Sequence, residues 1–101
     1  MRNIAFVLVI ILHVVSCSAG PVSDSNPVSH EKWEKLLKKH VDNKGMVNYK
    51  GFIADSTALN SYLEILSANH PNEANWSKDE ALAYWINAYN AFTIQLVIRN
   101  Y

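Results

Sequence analysis

The chain has 101 residues, 50% of them hydrophobic and 18% charged, with nine basic side chains against nine acidic ones and a formal net charge of zero. That composition suits one small globular domain. The balanced charge excludes the electrostatic footprint of a nucleic-acid-binding protein, so no nucleic-acid partner is expected.

Arg2 gives a short positive start, Ile4 to Val15 is apolar, and Ser16, Cys17, Ser18, Ala19 and Gly20 are small. Positive, apolar and small is the order of a secretory leader, so residues 1–19 are expected to be a signal peptide and the product to be exported. As a helix the apolar run would reach about 18 Å, short of the ~30 Å hydrocarbon core, which argues against a permanent span. Cys17, closing the run as "VVSC", leaves two routes open. In one it is the lipid-attachment residue of a lipobox, giving an outer-membrane lipoprotein that meets the membrane only through that anchor. In the other, cleavage follows Ala19 and the product is a soluble periplasmic or extracellular protein. Valine stands where a lipobox more often has leucine. Residues 20–30, rich in Ser, Pro and Asn, have the composition of a flexible tether. Beyond Cys17 there is no cysteine, hence no disulfide, thiolate nucleophile or cysteine metal site in the exported part.

Trp33, Leu36, Leu37, His40 and Val41 fall at helical spacing and predict an amphipathic helix over Glu31–Val41. Lys35, Lys38, Lys39 and Lys44 cluster along and just after it; with Glu31 and Glu34 on the same helix, a solvated face is the simpler reading than a phosphate site. "DNKG" ends the helix, with Gly45 suited to a left-handed turn. "MVNYKGF" alternates around Val47 and Tyr49 and is expected to be extended near Val47–Tyr49. Leu59, Tyr62, Leu63 and Leu66 predict a second amphipathic helix, Thr57–Ala68, stopped by Asn69, His70 and Pro71. Ser77 to Glu80, "SKDE", matches a capping box and opens a third helix, Lys78–Asn100.

Apolar residues surround nearly the whole circumference of that last helix, which is expected to be central and buried on most sides. Its expected contacts include Trp33, Leu37, Leu63, Trp85, Tyr89 and Phe92. The helical pattern still runs at Tyr101, and the expectation is a mainly α chain, three helices and one short extended segment, forming the amino-terminal part of a larger α+β domain.

Asn87 and Asn90 lie on one side of this apolar helix. A buried amide without a partner costs about 1–3 kcal/mol, so each is expected to bond something. Alone, the spacing favours amides that pin an adjoining loop; the functional reading is that they face a cleft. His40 is the histidine to watch, since an imidazole is the natural acid–base group near neutral pH, although a lone histidine on an apolar face is more often a packed core residue. His30 and His70 read as cap or loop residues. Tyr49, Trp85 and Tyr89 are candidates to line a binding pocket, against the plainer reading as core. No metal site is expected, because no second His or Asp cluster stands at ligand spacing from His40 and Asp42 and "DNKG" is too short for a calcium loop. No cofactor motif occurs, and "NWS" at Asn75 is a formal glycosylation sequon.

The series "W-x-x-L-L-x-x-H-V" at Trp33–Val41, "G-x-V-N-Y" at Gly45–Tyr49 and "L-x-x-Y-L-x-x-L" at Leu59–Leu66 continues with Trp76 and "A-x-W-I-N-A-Y-N-A" at Ala83–Ala91. It resembles the start of the family catalogued as domain of unknown function 547, over residues 31–101. Asn48 stands where that family usually has aspartate, so a carboxylate role there does not carry over. The resemblance implies a longer domain with downstream histidine and often cysteine, frequent export or lipid anchoring in bacteria, and no assigned activity. Two functions are therefore expected to compete. One is a binding or scaffold module of the envelope. The other is the amino-terminal half of a hydrolase- or transferase-like enzyme, with His40, Asn87 and Asn90 as orienting groups and the nucleophile beyond Tyr101. The chain by itself is not expected to be catalytic.

Overall fold

A computed structural model describes residues 24–101. The leader expected over residues 1–19, Cys17 with it, and the first residues of the tether lie outside the described residues. The fold is mainly helical. In chain order the helices are α1 (Glu31–His40), α2 (Tyr49–Ala54), α3 (Ser56–Ala68) and α4 (Lys78–Arg99).

In α1 the apolar stripe is placed as its spacing requires, with Trp33, Leu36 and His40 buried and Leu37 and Val41 packed at the margin. Lys35 pairs with Glu31 and Lys38 with Glu34 across one turn, and all four side chains are largely exposed. Pairs of this kind contribute about 0.3–0.5 kcal/mol and mark a solvated face. After α1 the Asp42 carboxylate accepts the backbone N–H groups of Lys44 and Met46, both at 2.9 Å, and Gly45 adopts a φ of +80°. Only glycine enters that region without steric cost, so the tight reversal is written in the sequence.

The segment after the turn departs from expectation. An isolated antiparallel bridge joins Val41 to Val47, but the chain then becomes helical at Tyr49 instead of staying extended. Two bonds of Asn48 cause this. Its backbone N–H donates to the His40 carbonyl at 2.7 Å, and its side-chain oxygen accepts the Gly51 N–H at 3.0 Å, capping α2. Helical geometry places Phe52 wholly inside the core.

Buried Leu59, Tyr62, Leu63 and Leu66 form the inner face of α3, as their spacing predicts. The capping box of α4 forms: Ser77 Oγ accepts from the Glu80 N–H at 3.1 Å and Glu80 Oε1 from the Ser77 N–H at 2.8 Å. The inner face of α4 is Tyr84, Ala88 and Ala91, with Ile94 and Ile98 at its edge. The Tyr84 hydroxyl donates to the Leu66 carbonyl at 2.5 Å, tying α4 to the end of α3.

Helices α2 and α3 pack on one side of α4, and α1 packs in turn on α3 and α2. This corrects the expectation of burial all round: Leu82, Trp85, Ile86, Tyr89, Phe92 and Leu96 are exposed, and Trp85, Tyr89 and Phe92 are not core contacts. Two short helices subtend only one flank of a helix of 22 residues, so its opposite apolar flank finds no neighbour among the described residues.

The loop between α3 and α4 holds part of the expected tether. Asn72 Nδ2 and the Trp76 indole N–H both donate to the Ser25 carbonyl, at 2.8 and 3.0 Å, and Asn75 Nδ2 donates to that of Asp24 at 2.8 Å. Ser25 Oγ in turn donates to the His70 carbonyl. The composition that suggests a loose tether thus ends in a docked segment, because Asn72, Asn75 and Trp76 offer donors to its backbone. The Asn75 amide of the sequon is one of these ties.

Candidate functional site

Two places gather the residues with chemical potential: the junction of α1, α2 and α3 around His40, and the outer face of α4.

At the junction, His40 closes α1 at 7% exposure. Its Nε2 shares a 2.6 Å hydrogen bond with Asp55 Oδ2, and Lys39 Nζ meets the same oxygen at 2.9 Å. Asp55 is the residue before α3 but makes no side-chain cap there, since its carboxylate is turned toward α1. The imidazole leans on Phe52 with ring centroids 5.0 Å apart. Its other nitrogen, Nδ1, lies directly against Gly51, where even a methyl group would collide with it. A carboxylate that fixes an imidazole is the orienting half of many acid–base sites. Here one ring nitrogen is held by Asp55 and the other lies close against Gly51 of α2, so the same contacts describe a strut joining three helices.

Hydrogen bonds from Lys39 first and His40 second hold the Asp55 carboxyl below its ordinary range. A carboxyl with a depressed folded-state pKa adds stability above its unfolded pKa, and that increment disappears as pH falls through the folded value. Acid melts of the wild type and Asp55→Asn are therefore expected to differ most near neutrality and to converge below about pH 4, the unfolded carboxylate range. A difference in Tm that stays constant through acid would show that the pairing carries no stability.

The expected grouping of His40 with Asn87 and Asn90 is not formed by direct contact. Asn87 is half-buried and Asn90 exposed on α4, and neither amide side chain hydrogen-bonds another described residue. The premise of two buried amides therefore gives way to one marginal and one solvent-exposed amide.

Of the binding candidates, Tyr49 is half-buried with its ring 5.6 Å from that of Tyr101. Trp85 is 57% exposed and meets buried Tyr84 edge-on at 4.9 Å, while Tyr89 is 74% exposed. Trp85 and Tyr89 share a groove of about 480 Å³ with Phe92 and Leu96, walled on the α3 side by Ser67 and His70. Among the described residues no group of three or more His, Cys, Asp or Glu is arranged to hold a metal ion, and no helix is long and apolar enough to cross a membrane.

Sequence reasoning missed Asp55 and Gly51 as partners of His40. No local spacing links positions so far apart; the one available signal was an acid at a helix start. It also missed that His30, besides opening α1, bonds Tyr62: Nδ1 and the phenol oxygen are 2.6 Å apart. Burial pushes the Tyr62 phenol up to about 12 and His30 below its ordinary value, so the phenol donates and the neutral imidazole accepts.

Residues 73–101 match a family model described as a protein of unknown function, DUF547; the match is partial and covers the end of the loop and all of α4. No curated protein and no solved structure matches the chain.

Proposed function

We propose that the chain is a binding or scaffold module of the cell envelope, exported by its leader with Cys17 as lipid-attachment residue, which docks other polypeptide through the outer face of α4. One observation carries the docking reading. From Ala81 to Ile98 the helix has no charged residue, yet Trp85, Ile86, Tyr89 and Leu96 are each more than half exposed. Monomeric proteins rarely expose apolar patches beyond a few hundred Å², and patches on that scale mark interaction sites. Trp and Tyr are also the side chains that most often anchor interfaces.

The second reading is that the chain is half of an acid–base enzyme, and the His40–Asp55 couple is the observation in its favour. Against it stands the absence of any hydrogen bond between that couple and either asparagine among the described residues.

A photo-activatable phenylalanine analogue at Tyr89, compared with the same group at Glu64 on the exposed side of α3, tests docking in cells that make the protein. A discrete adduct from position 89 and none from 64 is expected. No adduct, or the same adducts from both positions, would overturn the docking reading.

A further inference from the structure

We infer that the polypeptide covering the outer face of α4 is a second copy of this chain, packed antiparallel with its two-fold axis at Tyr89. The inference rests on the docking reading above and names its partner.

Three observations carry it. First, the spacing is that of a helix–helix seam. Leu82, Ile86, Tyr89, Thr93 and Leu96 alternate steps of four and three, flanked by Trp85 and Phe92. A 4-3 stripe of this kind keeps one side of a helix facing a partner helix over several turns. Second, the stripe is symmetric about Tyr89, the most exposed of its large residues. In an antiparallel pair centred there, Leu82 of one copy faces Leu96 of the other, Ile86 faces Phe92, and Trp85 faces Thr93. A self-complementary patch of this form is what an isologous interface requires.

Third, the charges at the ends match in that orientation alone. Asp79 and Arg99 are equidistant from Tyr89, are both exposed, and form no ion pair among the described residues. Antiparallel packing sets Asp79 of each copy at the same level along the seam as Arg99 of the other, on opposite edges, and opposes the helix dipoles favourably. A parallel pair would set Asp79 against Asp79 and Arg99 against Arg99. Between these ends the face is uncharged, so a charged partner surface would be desolvated without compensation. The available area is also of the right order. Buried aromatic side chains remove ~150–250 Å² each, so three partly exposed aromatics and three aliphatics offer on the order of several hundred Å², near the ~800 Å² per partner of a standard interface.

The test uses the purified full chain carrying Cys17→Ser, so that introduced cysteines are unambiguous. Sedimentation equilibrium is expected to show a dimer whose Kd rises at least tenfold in Ile86→Glu. That position is half-exposed, so the variant is expected to keep the wild-type circular dichroism. Under mild oxidation Tyr89→Cys is expected to cross-link to itself. Leu82→Cys mixed with Leu96→Cys is expected to cross-link more than either alone.

A chain that stays monomeric at the highest concentration reached overturns the inference. So does a dimer indifferent to Ile86→Glu, or Leu82→Cys cross-linking to itself as fast as it does to Leu96→Cys. The cellular adduct at position 89 separates this failure from failure of the docking reading. An adduct of twice the chain mass supports a second copy, and one of any other mass refutes it while docking stands. No adduct removes both.

Discussion

Tyr62→Ala is expected to destabilise the fold by about 3–5 kcal/mol, the range for removing a large buried aromatic side chain. Tyr62 is fully buried in the middle of α3. Its ring stacks on Trp33 of α1, with centroids 5.9 Å apart and planes within 8°. Its hydroxyl bonds His30 at the start of the same helix. The substitution therefore opens a cavity between α1 and α3 and strands the His30 nitrogen together. Small domains have only about 5–15 kcal/mol of stability, so such a loss is a large part of the whole.

Urea titration followed by circular dichroism reads this loss, and Tyr62→Phe separates its two parts. The phenylalanine variant keeps the stacking and is expected to lose about 1 kcal/mol, the net worth of one hydrogen bond. Because burial lowers the His30 pKa, the folded state disfavours its charged form. That contribution is whole above the unfolded histidine value and fades as pH falls through the folded one. Equal losses in the alanine and phenylalanine variants would mean that the stacked ring adds nothing.

Gly51→Ala is expected to lower stability by about 1–3 kcal/mol, the usual penalty for overpacking. The sign is informative, because at an ordinary exposed helical position alanine is favoured over glycine by up to ~1 kcal/mol. Here the added methyl meets the His40 ring, which cannot withdraw: Asp55 holds its far side and Phe52 supports its face. The backbone of α2 cannot retreat freely either, with Asn48 bonded both to the His40 carbonyl and to the Gly51 N–H. Removing the ring should remove the penalty, so in a His40→Ala background the alanine at position 51 is expected to be neutral or stabilising. The double-mutant cycle measures that coupling. An equal loss with and without the imidazole would show that close approach of ring and backbone is not what requires glycine.

Much of the helical content was legible from local pattern. Leu59, Tyr62, Leu63 and Leu66 announced α3, "SKDE" announced the start of α4 to the residue, and Gly45 announced the reversal after α1. These features depend on residues within about one turn of each other, which a linear reading sees. The misreading of α2 has the same origin from the other side. "MVNYKGF" alternates well enough for a strand, and its helix exists because Asn48 is anchored to the end of α1.

The outer face of α4 shows the limit most clearly. Hydropathy established that this helix is apolar on nearly every side, but a periodic pattern carries no information about how many neighbours arrive. The sequence by itself determined where α1, α3 and α4 run, which residues can be buried, and the charge-free surface from Ala81 to Ile98. Only the tertiary structure decided which flank of α4 meets α2 and α3, that His40 is clasped by Asp55 against Gly51, and that Asn87 and Asn90 are left at the margin and in solvent. The physical reason is distance along the chain. Capping and amphipathic spacing act between residues a few positions apart, whereas each of these outcomes follows from helices packing across intervals that no local pattern records.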